Sequence, residues 1–178
     1  VVAKTGAIVF TATQQHRPSE LYVMDTPEST PRRLTAFNAW VSSVALGRTE
    51  RVTWKTHDGH EADGTVLLPP NFSPAKMYPL VLVIHGGPTS ASKLSFNALP
   101  QLMATEGWIV FQPNYRGSDN LGNAYQAAIV GDAGAGPGKD VMAGVAMLRA
   151  RPYVDKARTA VTGWSYGGYM TSWLIGNY

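Results

Sequence analysis

Hydrophobic and polar positions change rhythm along the chain. In the first 45 residues, short strand-like runs at 7–13 and 20–24 are separated by the turn-prone Gln14-Gln15-His16-Arg17-Pro18-Ser19, and a second polar break lies at 25–31. This pattern predicts a β-meander hairpin. Two strands alone are marginal in water, so the stretch is expected to be the end of a larger β structure or a flap packed on the remainder of the chain. A second hairpin is predicted from residues 51–57 and 61–68, with Asp58-Gly59 as its tight turn.

Beyond residue 69 the rhythm is that of buried strands alternating with helices. Leu80-Val81-Leu82-Val83-Ile84 is a continuous apolar run, suited to a strand covered on both faces, and it ends in His85-Gly86-Gly87-Pro88. Helical spacing over 94–105 closes at Glu106-Gly107, and 108–112 reads as a second buried strand. The turn cluster Pro113-Asn114-Tyr115-Arg116-Gly117-Ser118 precedes a helix predicted over 123–130. A further helix over 139–150 carries Val141, Val145 and Leu148 on one side, and a third β-prone run, 159–162, leads into a helix-compatible segment from Tyr169. Strand and helix in alternation imply a parallel sheet with right-handed crossovers, and such sheets bind ligands beyond the carboxyl ends of their strands. His85-Gly86-Gly87, Asn114-Tyr115-Arg116 and Ser165 all fall at those ends.

Composition narrows the possibilities. With 178 residues, 44% hydrophobic and 15% charged, the chain suits one domain or a domain plus part of another, and it can bury a sizeable core. The formal charge of +3 comes from scattered basic residues, which argues against a nucleic-acid partner. No apolar run is long enough to cross a bilayer, so no membrane partner is expected. The absence of cysteine removes thiol nucleophiles and Cys-ligated metals. His57 and His60 flank a turn without a third strong ligand, so no metal is expected there. The run 131–138 is rich in glycine but lacks the spacing of a phosphate-binding loop. The compartment is left open, with the cytoplasm favoured because no signal segment is visible, although the chain opens on Val1 rather than methionine.

The chemistry centres on Gly163-Trp164-Ser165-Tyr166-Gly167, a Gly-x-Ser-x-Gly placed between a strand and a helix. In such a turn the serine backbone is strained so that its Oγ stands clear, and the glycines two positions either side let strand and helix close up. Acyl transfer needs a nucleophile, a base, an acid to orient the base, and donors for the oxyanion. Ser165 is the candidate nucleophile. The backbone N–H groups of Tyr166 and Gly87 are the candidate oxyanion donors, with Pro88 expected to hold Gly87 extended. The Gly-x-Ser-x-Gly arrangement places the acid and the histidine after the serine, yet the 13 residues after Ser165 contain neither, and all four histidines precede it. His85 lies near but on the wrong side of the carbonyl to act as base. The expectation is an incomplete hydrolase domain whose acid and base lie in sequence not present here.

The three motifs His85-Gly86-Gly87-Pro88, Pro113-Asn114-Tyr115-Arg116-Gly117-Ser118 and Gly163-Trp164-Ser165-Tyr166-Gly167-Gly168-Tyr169-Met170, in this order and spacing, resemble the prolyl oligopeptidase family of serine peptidases, most of all its acylaminoacyl-peptidase and dipeptidyl-peptidase-type branch. The resemblance runs from about residue 50 to the end. It implies an α/β fold: the N-terminal part of an α/β-hydrolase sheet over 46–178, truncated after the nucleophile helix, preceded over 1–45 by terminal β-propeller strands and a linker. It also implies a short peptide as substrate, with Ser165 as nucleophile and Tyr166 and Gly87 as oxyanion donors. His85, Asn114 and Arg116 are then substrate or structural contacts, the structural role being preferred for Asn114 and Arg116.

No cofactor is implied. The partners implied are the remainder of the catalytic domain and the propeller, with a homo-oligomer left open. Two departures stand out: His85 replaces a tyrosine common in prolyl and dipeptidyl members, and Ala133-Gly134-Ala135-Gly136-Pro137-Gly138 replaces an acidic, Trp-bearing segment. A carboxylesterase and a catalytically silent fragment or interaction module are the alternative readings.

Overall fold

The computed structural model describes residues 1–178. Its larger sheet has five strands: β4 (Arg48–Lys55), β5 (Glu61–Leu68), β6 (Tyr78–Ile84), β7 (Ile109–Asn114) and β8 (Val154–Gly163), in the spatial order β4-β5-β7-β6-β8. β6 runs parallel to both β7 and β8, whereas the β4-β5 hairpin joins through an antiparallel β5-β7 pairing. The sheet is therefore mixed, parallel only in its chemically interesting half. Strand alternation sends Leu80, Leu82, Ile84, Ile109 and Phe111 to one face, where they pack with Val141, Val145, Leu148, Met170 and Leu174. Val81, Val110 and Leu67 go to the other face, with Ala104. Burial on both faces explains why these strands read as unbroken apolar runs.

Four helices complete this region: α1 (Ala98–Thr105), α2 (Asn123–Ala127), α3 (Ala135–Arg149) and α4 (Tyr166–Asn177). The helix predicted over 94–105 starts only at Ala98. Asn97 caps it by accepting the Leu99 N–H at 3.2 Å, and Pro100 is tolerated only within the first turn. α2 is likewise shorter than the predicted 123–130.

The helix predicted over 139–150 begins four residues earlier, inside the glycine-rich run. Asp132 accepts the N–H groups of Gly134, Ala135 and Gly136 at 3.2, 2.8 and 2.7 Å, supplying the otherwise orphaned donors of the first turn. Those bonds outweigh the burial that would raise its pKa, and hold its carboxyl below the usual range. Glycine is also dictated by space: a Cβ on Gly138 would overlap the Trp173 ring of α4. The glycine-rich run that stands in place of the acidic segment thus forms a tight α3–α4 contact.

A separate three-stranded sheet holds β1 (Ile8–Gln14), β2 (Arg17–Met24) and β3 (Arg32–Arg33), in that order. The turn expected over 14–19 shrinks to Gln15-His16, because Gln14 pairs with Arg17. Pro18 is accommodated in β2 because β3 reaches only Tyr22 and Val23, leaving its nitrogen without a second strand to serve. Buried Glu20 accepts the Thr35 hydroxyl and the N–H groups of Phe37 (3.2 Å) and Asn38 (2.9 Å), fastening the chain that leaves this sheet. At Gly47 that chain meets the larger unit, where the buried Gln101 side chain bonds both its N–H (2.9 Å) and its carbonyl (3.2 Å). No helix is long and apolar enough to cross a membrane.

Candidate active site

Ser165 occupies the corner between β8 and α4 with φ 56° and ψ −123°, a left-handed conformation that a residue with a Cβ adopts only under constraint. The constraint comes from its neighbours. A Cβ at Gly163 would strike the backbone of Gly167, and one at Gly167 would overlap the Ile84 carbonyl of β6, so strand, turn and helix can close only on glycine. The corner leaves Ser165 exposed. Tyr166, as the first residue of α4, has no preceding helical turn to accept its N–H.

The loop after β6 comes up against this corner. A Cβ on Gly86 would sit 2.9 Å from the Trp164 carbonyl and 3.2 Å from Ser165 Cβ, so the loop touches the serine as closely as backbone can. Gly87 is not held extended, as expected from Pro88. Its φ of +119°, with a Cβ there falling 2.5 Å from the Thr89 nitrogen, makes glycine obligatory, and a cis peptide joins it to Pro88. Its N–H has no acceptor within the protein.

The His85 ring is hydrogen-bonded away from the serine, with Nδ1 2.8 Å from the Gly86 carbonyl and Nε2 3.0 Å from Ser118 Oγ. Burial lowers its pKa, partly offset by the Gly86 carbonyl and Asp119. Its ring stacks on Tyr115 (4.5 Å between centroids, 17° between planes), and Tyr115 stacks on Tyr166 (5.5 Å, 26°). The phenol of Tyr166 donates to the Ala133 carbonyl at 2.6 Å, which ties the corner to the start of α3.

Asn114 and Arg116 are engaged inside the protein. Asn114 accepts the Ser92 N–H (2.7 Å) and donates to Asp63 (2.9 Å) and the Ser92 carbonyl (3.1 Å), so it braces the loop between β6 and α1. Arg116 gives Nε and Nη2 to the two oxygens of Asp140, each at 2.7 Å, its backbone N–H to the same carboxylate at 3.0 Å, and a further Nη2 contact to Asp58 at 2.9 Å. These bonds, Asp140 first, raise the guanidinium pKa against its burial. Asp58 is held well below the usual carboxylate range by the Thr56 hydroxyl and then Arg116. His57 converges with Asp58 and Asp140 as a metal site would, with ligand atoms within 4.8 Å of one another, but the cation between these carboxylates is Arg116. His57 and His60 are exposed on their turn, as read from the sequence.

The sequence marks Tyr115 only as a letter of a motif and does not single out Asp140, Asp132 or Ser118. Asp140 begins no pattern that periodicity marks; its role shows only where the N-terminal part of α3 passes beneath β7.

An exposed serine on a strained strand-to-helix corner, at the carboxyl edge of parallel strands and beside a glycine loop, defines a hydrolase of the α/β type. Residues 94–178 match the model of the prolyl oligopeptidase family. The chain belongs to that family of serine peptidases. It is 32% identical over 169 residues, 94% of its length, to the uncharacterized peptidase YuxL of Bacillus subtilis, and 34% identical over 164 residues, 90% of its length, to dipeptidyl-peptidase 5 of Porphyromonas gingivalis. It spans about a quarter of those relatives, 26% and 24%. Among solved structures it resembles an acylaminoacyl peptidase of Pyrococcus horikoshii, with TM-score 0.86 and 27% identity, covering 97% of this chain and 28% of that one. A puromycin-hydrolyzing peptidase of Mycobacterium tuberculosis aligns with TM-score 0.89 and 25% identity, covering 97% and 27%.

Proposed function

We propose that this chain carries the nucleophile and oxyanion site of a serine peptidase that hydrolyses short peptides through an acyl-enzyme. Ser165 Oγ attacks the scissile carbonyl and gives its proton to a histidine base. The backbone N–H groups of Tyr166 and Gly87 hold the oxygen of the tetrahedral intermediate. Its collapse expels the amine, which takes the proton from the base, and water then releases the acyl group and regenerates the serine. The base and its acid come from sequence outside these 178 residues. Residues 1–45 supply the terminal strands of a β-propeller and a linker, with the catalytic domain beginning near residue 46, where Gly47 is tied to Gln101.

The observation that carries this reading is the exposed, strained Ser165 with the Gly86 backbone pressed against it. Relatives named as acylaminoacyl and dipeptidyl peptidases favour an amide bond near a peptide end over an ester. The test compares peptide anilides with short acyl esters in the full-length protein and in its Ser165→Ala form. Anilide turnover that vanishes with the serine supports the reading; turnover of esters alone, or turnover that survives the substitution, overturns it.

A further inference from the structure

Tyr115 is fully buried just past the end of β7, with no path to a substrate, yet it touches both sides of the proposed oxyanion site. Its phenol donates to the His85 carbonyl at 2.6 Å, at the root of the loop that bears Gly87. Its ring lies between those of His85 and Tyr166, the latter belonging to the residue whose N–H is the second proposed donor. Tyr115 is itself fixed: its carbonyl accepts the Ser118 hydroxyl (2.7 Å) and N–H (3.0 Å), and the next residue is pinned by Arg116 N–H to buried Asp140. Burial, with the nearby Tyr166 phenol, raises its pKa, so it stays a donor.

We infer that Tyr115 is a positioning residue that sets the spacing between the Gly87 and Tyr166 N–H groups by holding the His85 carbonyl on one side and the Tyr166 ring on the other. The inference rests on the acyl-enzyme reading above. Donors to an oxyanion act at about 2.7–3.1 Å from an oxygen that takes up its charge only in the transition state, so a small displacement costs turnover rather than ground-state binding. A phenylalanine would fill the same core and stack as well; only the hydroxyl holds the carbonyl.

The test is Tyr115→Phe in the full-length peptidase, with Tyr125→Phe as control. Tyr125 also gives its phenol to a buried backbone carbonyl, that of Asn114 at 3.0 Å, but lies outside the ring stack. Tyr115→Phe is expected to lower kcat by about tenfold or more with KM within about twofold, and to weaken a peptidyl boronic acid, which mimics the tetrahedral adduct, by a similar factor. Tyr125→Phe is expected to leave both within about twofold. A Tyr115→Phe enzyme with unchanged kcat, a loss expressed in KM, an equal loss in Tyr125→Phe, or a thermal midpoint far below that of Tyr125→Phe would each overturn the inference. Ser165→Ala separates this failure from failure of the underlying reading, because turnover that persists without the serine removes the site itself.

Discussion

At the scale of single residues, chemistry and packing make opposite demands at the corner. Ser165 is strained and exposed, and the glycines around it exist to permit that strain. Gly167→Ala is expected to destabilise the protein by about 3 kcal/mol or more and to abolish reaction at Ser165, because the new methyl overlaps the Ile84 carbonyl; thermal unfolding and active-site labelling check both. Asp140 is wholly buried and is neutralised chiefly by Arg116. Arg116→Met should therefore cost roughly 3–5 kcal/mol in urea unfolding. His85 offers a pH test with a definite sign. Its folded pKa lies below its ordinary 6.5, so as pH falls below that value the unfolded chain binds a proton that folded His85 refuses, and stability drops toward the folded pKa. The urea midpoint of His85→Gln should fall less than that of the parent between about pH 7.5 and 5.5. Of these residues the serine and its two glycines were legible in the sequence, because the corner needs them at fixed spacing. The Asp140 partner was not, since a buried ion pair between distant segments leaves no local pattern.

At the scale of elements, the parallel strands declared themselves and the helix starts did not. A strand buried on both faces writes its burial into every position, as 80–84 does. The start of a helix depends instead on which side chain reaches its orphan N–H groups. Asp132 does this for α3 from two residues before Gly134, so the second half of a glycine-rich run outside the expected helix is the first turn of a 15-residue helix. Asp132→Ala is expected to cost about 1–2 kcal/mol and to raise amide exchange at Gly134, Ala135 and Gly136 before the rest of α3. The antiparallel entry of β5 beside β7 was likewise invisible, because register between strands far apart in the chain is set by shared packing, not by either strand alone.

At the scale of the whole molecule, the strands bring three loops to one edge, and the ring stack from His85 through Tyr115 to Tyr166 locks those loops together. The family resemblance was legible because its motifs sit on that edge, where backbone geometry tolerates few residues. The measurement that bears most directly on the claim is active-site labelling of the full-length protein with a fluorophosphonate, followed by peptide mapping. A single adduct on Ser165 is expected, lost in Ser165→Ala together with peptide turnover. Labelling on another residue, or peptide turnover undiminished in Ser165→Ala, would contradict it.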